Sequence, residues 1–253
     1  EKEAELGGIA RTLYTTLEGE NVQAYLEELI SKVKKHPSIT AYTNAELKKV
    51  SGYVGSYTTT LSVKGEEEPL ELSHGAAVIA TGAKEYQPSE YLYPESDRVV
   101  TQVELTDRLE TKGTEGLDSV VMIQCVDSRE EPRNYCSRVC CANSLKQALD
   151  LKKNNPELAV YILYRDMMAY GFAEAYYTQT RKAGVIFIQY QVDEKPQVKC
   201  DPASLEVAVF EQILGRPLQI QTDLVVLATG IVPNLPQGLV EIFGATLDQD
   251  GFF

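Results

Sequence analysis

The chain has 253 residues, with 24 Lys+Arg against 37 Asp+Glu, for a formal net charge of −13. That length suits one large or two ordinary domains, and 43 % hydrophobic residues exclude a disordered chain. The acidic balance argues against a nucleic-acid binder, which carries a basic stripe, and the lack of an apolar run of about 18 residues argues against membrane insertion.

In chain order, Asn21 to His36 reads as an amphipathic helix, with Val22, Tyr25, Leu26, Leu29, Ile30 and Val33 at helical spacing, Asn21 as N-cap and Pro37 as its end. Short strands are expected at Ser38–Tyr42, Glu46–Ser51, Tyr57–Val63 and Leu70–Ser73, separated by Gly52, Gly55 and Lys64-Gly65 as in an antiparallel meander. Ala76–Thr81 reads as a strand buried on both faces. Glu85 to Val100 reads as a crossing loop, Gln102 to Glu110 as a short helix and Lys112 to Leu117 as a linker. The pattern then turns to strand–helix–strand–helix–strand: Ser119–Val126, Ser137 to Asn154, Leu158–Tyr164, Ala173 to Ala183 and Val185–Gln191. That is a βαβαβ mononucleotide half. A second antiparallel section follows (Gln197–Asp201, Ser204–Gln212, Leu218–Gln221), and Asp223–Thr229 closes it.

Two of these stretches echo each other. Ala76 to Gly82 and Leu224 to Gly230 share the form apolar–apolar–apolar–Ala-Thr-Gly, 148 residues apart, each after a meander. A strand ending in Thr-Gly lets backbone pass close to a ligand, so Thr81, Gly82, Thr229 and Gly230 become candidate cofactor contacts. The echo points to an α/β fold of two Rossmann-like domains of the flavoprotein disulfide-reductase type with antiparallel excursions.

The cysteines are unevenly spread. Cys125, Cys136, Cys140 and Cys141 fall within 17 residues, and Cys200 stands apart as an ordinary thiol. An odd count behind a charged start, Glu1-Lys2-Glu3-Ala4-Glu5, suits a reducing, cytoplasmic setting in which clustered thiols signal metal or redox chemistry. Cys125 ends a buried strand and the other three open the next helix. That is the turn where a glycine-rich loop grips pyrophosphate in a dinucleotide fold. Residues 126–135 contain no glycine, so nicotinamide binding in the usual mode is not expected here. Four thiolates suit an iron–sulfur cluster or zinc, with the helix dipole and Arg129, Arg133 and Arg138 offsetting part of their charge. Adjacent side chains on a helix diverge by about 100°, which a cubane accommodates better than one tetrahedral ion. Zinc, a redox disulfide and inert thiols remain open.

The stretches Met122 to Arg129 and Asn134 to Cys141 resemble the signature of the A subunits of heterodisulfide reductases, with Asp127 where that family commonly has Gly. Tyr161 to Asp166, Tyr170 to Phe172, Leu224 to Asn234 and Asp250 to Phe253 are similar as well. The resemblance implies an iron–sulfur flavoprotein with a thioredoxin-reductase-like core, working with other subunits of an electron-transfer complex. It implies a [4Fe–4S] cluster on Cys125, Cys136, Cys140 and Cys141. It also implies FAD, with Glu1 as the ribose carboxylate and Gly7 and Gly8 as the turn against the flavin. The family's phosphate loop and its carboxy-terminal Gly-Asp strand are not found, nor is a ferredoxin-type cysteine insert between Tyr57 and Ala76. The chain therefore reads as a fragment with an incomplete flavin site. Residues 1–112 with 222–253 are expected to form the partial FAD-binding domain, and 113–221 the second domain.

Other readings weigh less. Cys136 with Cys140, or Cys140 with Cys141, could be the working pair of a dithiol oxidoreductase. Tyr86, Tyr91 and Tyr93 could serve a docking module, although a solvated acidic face is the simpler account. Arg165 and Asp166 read as structural or interdomain, and His36 and His74 as having no metal role.

Overall fold

The computed structural model describes residues 1–202, 204–234 and 238–253. Its elements are α1 (Val22–Lys35), β1 (Ala45–Tyr53), β2 (Ser56–Val63), β3 (Leu70–His74), β4 (Ala83–Glu85), β5 (Val99–Thr101), α2 (Gln102–Thr111), β6 (Ser119–Ile123), α3 (Cys140–Asn154), β7 (Ala159–Tyr164), α4 (Glu174–Lys182), β8 (Ile186–Gln189), β9 (Gln197–Cys200), β10 (Leu205–Glu211), β11 (Arg216–Gln221), β12 (Leu224–Leu227), β13 (Ile231–Pro233) and α5 (Leu239–Phe243). The chain divides into two units, one of Glu1–Tyr14, Asn21–Lys84 and Val232–Phe253, the other of Thr15–Glu20 and Glu85–Ile231. The expected boundaries at 112/113 and 221/222 lie inside the second unit.

The first unit carries α1 and the antiparallel meander β1-β2-β3. Asn21 caps α1 by accepting from the Ala24 N–H at 2.9 Å, which satisfies one of the free donors of the first turn. Little of this unit is buried: among its described residues only Leu26, Thr59 and Leu239 are. Two expected strands do not form. Ser38–Tyr42 is irregular and largely exposed. Ala76–Thr81 is an unpaired stretch with Val78 92 % exposed. A strand exists only beside a partner, and the bonds made by this stretch are single ones, such as the Asn234 side chain donating to the Thr81 carbonyl at 3.1 Å.

The second unit is built on a five-stranded sheet in the order β5-β12-β6-β7-β8, with every adjacent pair parallel. Leu224 to Leu227, the echo of the bare stretch, lies between β5 and β6 and is buried throughout. Alternation along the strands assigns the two faces. Val120, Met122, Ile162 and Val226 pack with Leu105, Leu145 and Leu151 from the helices. Val121, Ile123, Leu163, Val225 and Leu227 pack with Leu205, Val207 and Val209 from the antiparallel sheet β11-β10-β9. The cysteine segment joins the carboxyl end of central strand β6 to α3.

Helix α2 begins with a capping box in which Thr101 accepts from Glu104 N–H and Glu104 from Thr101 N–H, while the Thr101 hydroxyl donates to Glu85 at 2.6 Å. Thr101→Ala removes all the hydroxyl bonds at a fully buried position. A loss of about 1–2 kcal/mol is expected in a denaturant titration, with Thr101→Ser recovering most of it.

Candidate functional site

β6 leads into the site through Gln124, whose backbone N–H donates to the Leu163 carbonyl at 2.9 Å. Its buried side chain donates to Ser144 Oγ at 2.6 Å, and Ser144 Oγ also accepts from Gln102 at 2.7 Å. Gln102 further donates to the Cys140 carbonyl at 3.1 Å, and Tyr190 donates its hydroxyl to the Gln124 carbonyl at 2.5 Å. A buried polar network therefore fixes the end of β6 against the first turn of α3, which places Cys125 relative to Cys140 and Cys141. Buried polar groups in such networks are held to one arrangement because a lost partner leaves the rest unsatisfied.

The connecting loop turns without glycine by placing other residues in the left-handed region: Cys125 (φ 59°), Asp127 (φ 48°), Arg129 (φ 64°) and Arg138 (φ 59°). Asp tolerates that conformation better than most side chains, and Asp127 also accepts the Ser89 N–H at 3.1 Å. The strand ends that would face a nucleotide are occupied by the loop's own side chains. Arg133 donates to the carbonyls of Val126, Asp127 and Thr229 and stacks 3.7 Å over the Tyr86 ring. Tyr135 donates to the Ile231 carbonyl at 2.9 Å, and Ser137 Oγ accepts the Ile231 N–H at 3.0 Å. Gly230 (φ +75°) leaves room for this: a Cβ there would stand 2.5 Å from Ser137 Oγ and 3.7 Å from Cys140 Sγ.

All four clustered cysteines are free thiols; Cys141 is buried and the other three half-buried. The Arg138 N–H donates to Cys136 Sγ at 3.4 Å, Arg129 approaches Cys125 Sγ at 3.8 Å, and Cys141 Sγ lies 3.9 Å from the Asp166 carbonyl. Burial, then the charges of its three neighbours, pushes the Cys140 thiol up to about 12. Burial, with Cys125 and Cys136, pushes Cys141 up to about 11. Burial also raises Cys125, against the lowering effect of Arg129. Burial is the largest cause at each of the three. Among the described residues, no three His, Cys, Asp or Glu side chains stand close enough to hold one metal ion.

Raised thiol values mean that the protein without iron keeps these protons well above neutral pH. The folded state then binds more protons than the unfolded state from the ordinary thiol range, about 8.5, up to the shifted values, so its stability falls as pH rises through that window. Alkylation of Cys140 and Cys141 is therefore expected to be at least tenfold slower at pH 8 than that of an unfolded control. Peptide mapping after timed iodoacetamide treatment measures it.

Of the remaining candidates, Thr229 and Gly230 join the cysteine loop, and Cys200 lies 3.6 Å from Ser96 Oγ. Glu1, Gly7, Gly8, Thr81 and Gly82 belong to the first unit. There the Glu1 carboxylate accepts the Glu3 N–H at 3.1 Å, and a Cβ on Gly7 would meet Arg11 and Leu26 at 3.0–3.1 Å. His74 bonds Thr59 at 2.6 Å. Sequence reasoning missed Gln102, Gln124 and Ser144, whose types fit any helix or strand, and it missed the pairing of Arg129 with Asp166 (2.6 Å), separated by 37 residues.

No family model matches the chain. It is 36 % identical over 214 residues to the first iron-sulfur A subunit of the CoB–CoM heterodisulfide reductase of Methanopyrus kandleri, covering 74 % of this chain and 31 % of that protein. It is 32 % identical over 234 residues to the A subunit of the ferredoxin:CoB-CoM heterodisulfide reductase of Methanosarcina acetivorans, covering 74 % of this chain and 29 % of that protein. These matches support the family of heterodisulfide reductase A subunits for this chain. It spans about three-tenths of the length of those relatives. In fold it resembles the thioredoxin reductase of T. acidophilum, with a TM-score of 0.60 at 15 % identity over 100 % of this chain and 74 % of that one. That likeness bears out the Rossmann-like α/β class. No described helix is long and apolar enough to cross a membrane.

Proposed function

We propose that this chain is the cluster-bearing part of an electron-transfer oxidoreductase subunit of the heterodisulfide reductase type, and that Cys125, Cys136, Cys140 and Cys141 ligate a [4Fe–4S] cluster. One observation carries this reading: the turn that would grip phosphates is filled by the protein's own Arg133, Tyr135 and Ser137, and the segment from the end of β6 to the first turn of α3 carries four free thiols instead. The donor set fits the group. Soft thiolates are the ligands such clusters take, and the thiols that burial and mutual repulsion hold protonated are those a cationic iron–sulfur core would relieve of their protons. The helix start, whose N-cap Val139 provides no side-chain bond, leaves N–H groups and dipole to balance the added charge. Bound there, the cluster would supply one-electron transfer. The chain's residues would fix its place, exclude water through the buried network and set its charge surroundings.

FAD, the electron partner in this reading, fits the chain poorly. Gly7, Gly8, Thr81 and Gly82 offer close backbone approach, but the Glu1 carboxylate is engaged with its own backbone and the chain has no glycine-rich phosphate loop. Weak or no FAD binding by this chain is expected, with the donor, the acceptor and the other subunits supplied by the complex in which it works. The dithiol reading is disfavoured by the same raised thiols, since a working pair needs a lowered one.

Anaerobic reconstitution with iron and sulfide tests the reading. A broad band near about 400 nm and a reduced-state EPR signal are expected. A featureless spectrum with a full titre of free thiols would falsify it.

A further inference from the structure

We infer that Arg129 and Asp166 tune the reduction potential of the sulfur-ligated centre in opposite directions, the guanidinium seated against the Cys125 sulfur and the carboxylate paired to that guanidinium; this rests on the cluster reading above. Arg129 reaches Cys125 Sγ at 3.8 Å with one nitrogen and Asp166 at 2.6 Å with another. The Asp166 carbonyl is the acceptor 3.9 Å from Cys141 Sγ. The guanidinium therefore touches the sulfur at the end of β6, while the main chain of Asp166, not its carboxylate, lies beside the sulfur in the first turn of α3.

The Arg129 backbone is held in place around this contact. Its N–H donates to the Arg133 carbonyl at 2.9 Å, and Arg165 donates to the carbonyls of Ser128 and Arg129 at 3.2 and 3.3 Å. Arg165, read from sequence as structural or interdomain, thus anchors the loop that presents the guanidinium. Each reduction places one more negative charge on the centre. A guanidinium hydrogen-bonded to a ligand sulfur favours that charge, and a carboxylate opposes it. In the intact pair the carboxylate offsets part of the guanidinium's effect. Asp166 is the more exposed partner, with its side chain 57 % accessible against 25 % for Arg129, so solvent screens it more.

The test is a mediated redox titration of the reconstituted chain, followed by EPR, with iron content measured in every sample. Arg129→Gln leaves the carboxylate unopposed and is expected to lower the reduction equilibrium constant about tenfold, which for one electron is 59 mV. Asp166→Asn unmasks the guanidinium and is expected to raise it about threefold. With additive effects the double variant should lie between the two, about threefold below the starting value. A pair that only braced the loop would reduce iron content without shifts of opposite sign. Unshifted potentials at full iron content, or two single variants moving in the same direction, overturn the inference and leave the cluster reading intact. Should Arg129→Gln take up no iron, the upward shift in Asp166→Asn decides alone. A starting chain that takes up no iron overturns the cluster reading, and this inference with it.

Discussion

Replacing any one of Cys125, Cys136, Cys140 or Cys141 by Ser is expected to abolish the band near about 400 nm and the EPR signal of the reconstituted chain. The other three positions leave an open corner, and a hydroxyl is a harder, far less acidic donor than a thiol. Cys200→Ser is the control: that thiol lies in the β9 strand beside Ser96, and iron uptake should not change. The four replacements should be distinguishable by their effect on the fold without iron. Cys141 is buried with 6 % exposure, so its Ser variant buries a hydroxyl and should lose about 1–2 kcal/mol. Cys136 is half-buried, and its variant should stay within about 0.5 kcal/mol of the parent. Iron and acid-labile sulfide analysis, run beside denaturant titrations of samples prepared without iron, separates lost ligation from lost folding. Iron retained at full stoichiometry after Cys140→Ser would remove that residue from the ligand set.

Gly230→Ala is expected to have the largest effect on stability of the glycine-to-alanine replacements in the second unit. At φ +75° an L side chain is strained, at about 1–3 kcal/mol. The new Cβ would also stand 2.5 Å from Ser137 Oγ, which now accepts the Ile231 N–H, so that bond is displaced at about another 1 kcal/mol. Gly215 is the matched control. It has φ +61° with nothing within 4 Å of the place a Cβ would take, so Gly215→Ala carries only the backbone cost. Denaturant midpoints of the two variants should differ by the crowding contribution alone. Because Cys140 Sγ lies next to the same position, Gly230→Ala should also lower iron uptake, whereas Gly215→Ala should not. Equal losses in the two variants would mean that the close approach of Gly230 to the cysteine loop is unimportant.

Composition and periodicity determined a good deal of this protein. The apolar spacing of Val22 to Val33 and the Asn21 cap specify α1, because both act within one or two turns of chain. The runs Val120 to Ile123 and Leu158 to Leu163 specify parallel strands buried on both faces, since no other element hides so many consecutive apolar residues. Four thiols between a buried strand and a helix, with no glycine in the loop, single out a candidate site from residue type and spacing. Only the tertiary structure decided the rest, because the rest depends on what lies alongside. Ala76–Thr81 and Leu224–Thr229 are near-twins in sequence, yet one is bare and the other is central in a sheet: strand hydrogen bonds are made with a neighbour, and only the second has one. The closeness of Arg129 to Asp166, of Gly230 to Ser137 and of Gln124 to Ser144 is likewise set by how strands and helices stack, and local pattern carries no record of distances across tens of residues.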